Sequence, residues 1–395
     1  MNILVVSHKL PYPVNGAAIV LFNLLKHLSD RHAIHLVCFY QDAEELDFVA
    51  ELRRYCARVE AVRQPPRWSA GLLTDVALRG HSLHVARYRS PELSLKCGQV
   101  LAETNVDAVQ VETFYMAQHL PLGLEQPVVL NMHNLTWLLQ ERAAAVARGP
   151  ARLATAFEAA RVRREELAVC RSAAACVVLS EADRKGLLEA AREVRAEVVV
   201  PGVDVDRLRP SEGPSDEPNL VYVGHMGYRP NVDAMQFFCA EILPLVAREI
   251  PNVRLTIVGD PSPGVRRLGA DPRVRLAGRQ VDVRRYVQEA AVSVVPLRFG
   301  GGVRIKILEA MAMGSAIVST TVGAEGLGLS DGAELLLADQ PRVFAAQVTR
   351  LLKDPELRRG LGSRARRAAV ERFSWRRAAD RFDEIYRELK AGVSR

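Results

Sequence analysis

Eleven short, continuous apolar runs rich in Val, Ile and Leu punctuate this chain, and most are separated by longer, helix-like segments. In the first half they are NILVVS (2–7), IHLVCF (34–39), DAVQV (107–111), PVVLNM (127–132), ACVVL (175–179) and EVVV (197–200). In the second half they are NLVYVG (219–224), VRLTIVG (253–259), VRLAG (274–278), VSVVP (292–296) and AIVST (316–320). Runs that are apolar throughout, rather than on alternate residues, suit strands buried on both faces. Such strands belong to parallel sheets covered by helices.

The rhythm occurs twice. Between its halves lies PGVDVDRLRPSEGPSDEPN (201–219), whose four prolines and small or acidic residues suit a linker. The 395 residues are enough for two cores. The expected fold class is α/β, with two Rossmann-like, doubly wound parallel-sheet domains, 1–200 and 201–375, facing across a cleft. Open parallel sheets bind ligands beyond the carboxyl ends of their strands, so the active site is expected in that cleft. The stretch FSWRRAADRFDEIYRELK (373–390) spaces its apolar residues as an amphipathic helix does. The last helix, about 376–395, is expected to pack back on the first domain.

The net charge of +7 is uneven: residues 1–200 carry a net +1 and the remainder +6. Arginines of a C-terminal helical tail supply most of that excess, which reads as a solvated face or as a contact for an anionic partner. No aromatic-rich basic platform accompanies it, which argues against nucleic acid. Cys38, Cys56, Cys97, Cys170, Cys176 and Cys239 form no CxxC pair and sit mostly in apolar runs, as reduced core thiols of a cytoplasmic protein do. The opening MNILVVSHKLP lacks a charged leader, and no run of 18 apolar residues exists.

RFGGGVRIKILEAMAMG (298–314) is the segment richest in chemistry. A strand delivers the chain to the sheet edge, glycines follow, and then an apolar helix. Gly300, Gly301 and Gly302 permit close approach of a ligand to the backbone, and N–H groups at a helix start favour an anion. Arg304 and Lys306 fall at the start of that helix, where cations are unfavourable unless a polyanion binds. Glu309, two turns in, can accept hydrogen bonds from vicinal hydroxyls. Phosphate donors followed by a carboxylate fit the diphosphate and ribose of a nucleotide. A glycine loop with an internal helix salt bridge is the alternative.

GGGVRIKILEAMAMGSAIVSTTVGAEGL resembles the donor-binding segment of family-4-type retaining glycosyltransferases of the GT-B fold. The resemblance covers nearly the whole chain. NILVVSHKLPYPVNGAA is similar to that family's first strand and glycine loop, and NMHN (131–134) to its His-bearing strand end. VVLSEADR, VVVPGVDVDRLRP, YVGHMGYRPNVDA, IVGDPSP and VDVRRYVQEAAVSVVPLRFGGG then follow in the family's order. Two features depart from it. The family commonly places two glutamates eight residues apart, whereas here Gly301 stands at the first position and only Glu309 remains. Many members carry an Arg/Lys pair after the first strand of the second domain, near which this chain has His225 and Pro230.

The resemblance implies transfer of a sugar from a nucleotide-diphosphate sugar to a hydroxyl, with retention, in polysaccharide or lipid-linked glycan synthesis. It implies His133 and Glu309 as catalytic residues. Gly16, Gly300, Gly301, Gly302, Val303, Arg304 and Lys306 would hold the diphosphate and sugar. Glu309, Gly278, Arg279 and Glu325 would meet the ribose and base. His119, Arg87 and Arg89 are candidates for the acceptor side. The partners implied are a nucleotide sugar and a glycan or lipid-linked acceptor, with a peripheral contact at the inner membrane surface left open. No cofactor is expected, and no metal, because no DxD-type set occupies a suitable loop. Three rivals share parts of this pattern. They are a catalytically degenerate partner subunit, a sugar-nucleotide epimerase, and a dehydrogenase, which would need a GxGxxG that SHKLPYPVNGAA does not supply.

Overall fold

The computed structural model describes every residue except 13–15, 67–69, 147–148, 212–216, 301 and 394–395. The chain divides into two compact units, Met1–Val200 with Ala378–Arg395, and Pro201–Arg377. Each is built on one parallel sheet.

The first sheet holds β1 (Asn2–Ser7), β2 (Ala33–Tyr40), β3 (Arg58–Arg63), β4 (Ala108–Glu112), β5 (Val128–Asn131), β6 (Ala175–Val178) and β7 (Ala196–Val198), in the order β3-β2-β1-β4-β5-β6-β7. All of its pairings are parallel. The second holds β8 (Asn219–Val223), β9 (Arg254–Val258), β10 (Val274–Gly278), β11 (Val292–Val295), β12 (Ala316–Ser319) and β13 (Leu336–Leu337), in the order β10-β9-β8-β11-β12-β13. It too is parallel throughout. Both are doubly wound Rossmann-like sheets, the class that the apolar rhythm predicts. The strand order reverses at β1/β4 and at β8/β11, where such sheets open a crevice for ligands.

The strands read from the sequence all form, with ends shifted by a residue or two. Two others, β3 and β13, lie outside those runs. β3 is an edge strand whose alternating RVEAVR leaves all but Val62 partly or fully exposed. β13 is only two residues long.

Local chemistry sets the helix ends. Ser90 caps Pro91–Glu103 by accepting from Leu93 N, with proline at the first helical position. Ser180 and Asp354 cap Glu181–Ala190 and Pro355–Arg372 in the same way. The last helix, Trp375–Val393, buries Phe382, Ile385 and Tyr386. Within the first unit Arg31 pairs with Asp380 and Asp383, Lys390 with Asp107, and Arg381 with Glu197. Exposed pairs of this kind contribute about 0–1 kcal/mol each, so the apolar stripe dominates the docking of this helix. All six thiols are unpaired, and five of them are buried. Among the described residues no helix is long and apolar enough to cross a membrane.

One close approach positions the helix that bears Glu309, Ile305–Ala312. It ends at Gly314, which has a positive φ of 67°. A Cβ on Gly362, in the helix Pro355–Arg372, would lie 2.0 Å from the Gly314 carbonyl oxygen. Gly362→Ala must therefore push these two helices apart. It is expected to lower stability by about 1–3 kcal/mol in urea unfolding. A loss under about 0.5 kcal/mol, the range of an ordinary surface substitution, would mean that the contact gives way freely.

Candidate functional site

In the second unit, chemistry gathers at the β8/β11 switch point. β11 leads through Leu297 and Arg298 into the glycine loop. Arg298 anchors its base by bonding both oxygens of Asp233 at 2.6 and 2.9 Å and by lying 4.7 Å from the Phe237 ring centre. Gly300 and Gly302 have φ of 136° and 74°, which favour glycine. Gly301 lies outside the described residues. A Cβ at Gly300 would stand 3.0 Å from the Arg304 guanidinium. Val303 is partly buried. The helix begins at Ile305, so Arg304 is its cap residue and only Lys306 lies in the first turn, a correction to the expected start. Arg304 is 8% exposed and donates to the Gly302 carbonyl.

Lys306 turns back toward the end of β8. Its Nζ donates to Tyr222 Oη at 2.7 Å and to Asn231 Oδ1 at 3.1 Å, and it lies 4.0 Å from the Tyr222 ring centre. Tyr222 Oη also donates to Asn231 Oδ1 at 2.7 Å, and Asn231 Nδ2 donates to the His225 carbonyl at 2.9 Å. These partners are neutral dipoles. Burial lowers the lysine to about 7, Arg304 pushes in the same direction, and Glu309 opposes both. Burial raises Glu309 to about 7 against the pull of Lys306 and Arg207. The Glu309 carboxylate accepts no hydrogen bond from the described residues. The result is a cation and a carboxyl poised at neutrality beside a glycine loop, where charge is costly unless a ligand compensates it.

Gly278 ends β10 with a φ of 70°, and Arg279 after it is exposed. Two strands separate them from β11, with β9 and β8 between. Glu325 is exposed in the loop after β12, next to β11. Lys306, Arg304, Glu309 and the glycines thus share one loop and helix, and Gly278, Arg279 and Glu325 flank them along the same sheet edge.

In the first unit, the carboxyl ends of β1, β4 and β5 converge. His133 follows β5, and its Nε2 lies 2.8 Å from Glu112 Oε2 at the end of β4. Glu112 is fully buried and also accepts from Asn131 Nδ2, at 3.0 and 3.1 Å, and from Gln110 Nε2. Tyr386 Oη, from the last helix, donates to Gln110 Oε1. His8, after β1, packs its ring 6.1 Å from that of His133, and burial lowers its pKa well below the usual value. Tyr88 and Tyr115 stack beside it at 4.5 Å. Thr113 has a φ of 73°, a strained conformation for a β-branched residue. Strain of this kind clusters at functional sites.

Other candidates of this unit are placed less openly. His119 is 2% exposed, with Nδ1 against Ser94 Oγ and Nε2 against the Tyr88 carbonyl, so both ring nitrogens are engaged. Arg89 bridges Asp75 and His81, while Arg87 lies 5.5 Å from the Tyr88 ring centre. Gly16 opens the helix Gly16–Leu28.

Residues 14–207 match the family described as Glycosyltransferase Family 4, and residues 217–354 match Glycosyl transferases group 1. The chain belongs to the family-4-type glycosyltransferases. A D-inositol 3-phosphate glycosyltransferase of Kineococcus radiotolerans is 29% identical over 66% of this chain and 66% of its own length. That of Streptomyces bingchenggensis is 28% identical over 50% of this chain and 49% of its own. The chain thus spans less than two thirds of these relatives. Among solved structures, Anabaena HepE with UDP superposes with a TM-score of 0.71 at 17% identity, covering 98% of this chain and 100% of that one. Sucrose-phosphate synthase of Thermosynechococcus elongatus gives 0.71 at 18%, covering 99% and 100%. At these identities the likeness shows the GT-B fold.

Tyr222, Asn231, Gly224 and Glu112 contact the candidate residues and were missed by pattern reading. Tyr222 and Glu112 sit within apolar strands, where a polar tip looks incidental. A Cβ at Gly224 would lie 2.8 Å from Lys306 Nζ, a proximity that spacing alone does not reveal.

The folded Lys306 value, about 7, lies below its ordinary 10.5, so the folded chain binds fewer protons than the unfolded one between them. Stability falls as pH drops through that window, and the cost is complete below about 7. Lys306→Met removes the cost and leaves the Tyr222–Asn231 bond in place. It is expected to raise the melting temperature below that window and to abolish binding of nucleoside diphosphates. Melting curves across pH, with and without nucleotide, check both; a lowered melting temperature would contradict the first.

Proposed function

We propose that this chain is a retaining glycosyltransferase that moves a sugar from a nucleotide-diphosphate sugar to a hydroxyl of a glycan or lipid-linked acceptor. The observation that carries the reading is the partly buried Lys306, held by neutral dipoles at a glycine-lined strand end, three residues before Glu309, whose carboxyl accepts no hydrogen bond from the described residues. The family assignment supports it. So does the likeness to HepE, whose structures hold UDP, glucose and UDP-glucose.

In this reading the diphosphate lies over the glycine loop, where Lys306, Arg304 and helix N–H groups neutralise it. Glu309 accepts hydrogen bonds from the ribose hydroxyls. The bond from the anomeric carbon to the diphosphate oxygen breaks, and its electron pair leaves with the nucleotide. The acceptor oxygen bonds to that carbon from the same face and gives its proton to the departing diphosphate. Preorganised cations lower the barrier by stabilising charge that builds on the leaving oxygen. His133 contacts the sugar, with Gly16 near the phosphates. The loops after β10 and β12, with Gly278, Arg279 and Glu325, meet the base and ribose.

Thermal shift with UDP, GDP, ADP and their sugar conjugates tests this. A ligand at 100 times its Kd adds about 2.7 kcal/mol, a readable shift. One base is expected to stabilise the chain, and Glu309→Ala to remove most of that gain. Arg304→Ala with Lys306→Ala should raise the donor KM at least about tenfold, the scale of a lost charged hydrogen bond. The configuration of the product, read by NMR, checks retention. No shift with any nucleotide would favour a degenerate partner subunit.

A further inference from the structure

We propose that Tyr386, Gln110 and Glu112 form a positioning relay that fixes His133 with Nε2–H turned inward and Nδ1 left for the ligand. The inference rests on the transferase reading for its link to turnover, but not for its geometry.

An ionised carboxylate only accepts hydrogen bonds. Glu112, fully buried, faces three nitrogen groups: the amides of Gln110 and Asn131, and His133 Nε2. All three must therefore donate to it, so Nε2 carries a proton and the neutral ring is held as the Nε2–H tautomer. Its Nδ1 then has no hydrogen-bond partner among the described residues and is free to accept from a sugar hydroxyl.

The relay begins one step further back. Gln110 is fully buried, and an amide can turn its oxygen or its nitrogen toward Glu112. The carboxylate takes the amide nitrogen, and Tyr386 Oη, by donating to the amide oxygen, holds that orientation from the other side. Burial, reinforced by Glu112 and Asp383, holds the phenol protonated and able to donate. The orientation of His133 is thus set by a residue on the helix Trp375–Val393, more than 250 positions later in the chain. Asp383 lies three residues before Tyr386 on that helix and pairs with Arg31, His32 and Arg387.

Full-length protein labelled with ¹⁵N at histidine tests the relay, with Tyr386→Phe and Glu112→Gln beside the wild type. In the wild type the His133 ring is expected to show one tautomer with unprotonated Nδ1. Both variants should show mixed tautomers, and kcat should fall about tenfold or more with the donor KM nearly unchanged. Glu112→Asp should restore part of the loss. Tyr386→Phe deletes a single hydroxyl, so it keeps the test open if Glu112→Gln fails to fold. A purely structural role would lower the melting temperature without moving the ring signals, and that result overturns the relay. So does a shifted tautomer with undiminished turnover. If the wild type transfers no sugar, the transferase reading fails while the ring signals still decide the geometry.

Discussion

A parallel strand buried on both faces is the constraint from which this protein follows. Its backbone groups can be satisfied only by neighbouring strands, and each return to the sheet requires a crossover that brings the chain back in the same direction. Every carboxyl end therefore emerges along one edge of its sheet. Where successive crossovers diverge, at β1/β4 and β8/β11, no connection covers that edge. His8, Glu112 and Thr113 emerge at the first point, with His133 one strand along. Gly224 and the loop 297–304 emerge at the second. Chemistry concentrates there because the topology leaves those strand ends open.

The two units then solve opposite electrostatic problems with the same means. Glu112 is a buried carboxylate faced by nitrogen donors, and Lys306 is a partly buried amine held by neutral acceptors. Neither is balanced by an opposite charge in direct contact, apart from whatever positive charge His133 acquires. Dipoles compensate only part of the desolvation of Lys306, which falls to about 7, and the neighbouring Glu309, without a hydrogen-bond donor among the described residues, rises to about 7. A site in this condition is unfavourable when empty and is relieved by an anionic ligand that also brings hydroxyl donors. The rest of the core carries that cost, in the usual exchange of stability for function.

The fold was largely legible because burial on both faces writes itself into sequence as unbroken apolar runs, and all eleven such runs are strands. The edge strand Arg58–Arg63 was not, because one exposed flank lets charges alternate with apolar residues. Within the site, Lys306 and Glu309 announced themselves as charges inside an apolar helix, and His133 as a lone imidazole at a strand end. Their partners did not. Gln110 and Glu112 interrupt the run AVQVE with polar tips, and what they bind lies on β5 and on the last helix. Tyr386 looked like one more apolar position in an amphipathic pattern. Contacts between residues so distant in sequence leave no periodic trace, so only the folded chain shows which polar tips meet.

The same proximity explains how the chain departs from its family. The family resemblance implies an Arg/Lys pair after the first strand of the second domain, near which this chain has His225 and Pro230. Lys306 reaches that strand end from the helix side instead, and its Nζ occupies space within 2.8 Å of where a Cβ on residue 224 would stand. A side chain at 224 and a lysine folded back from 306 compete for one volume. Glycine at 224 is therefore the condition for a lysine folded back from 306. The fold admits a cation at the β8 end from the helix side provided residue 224 is kept small.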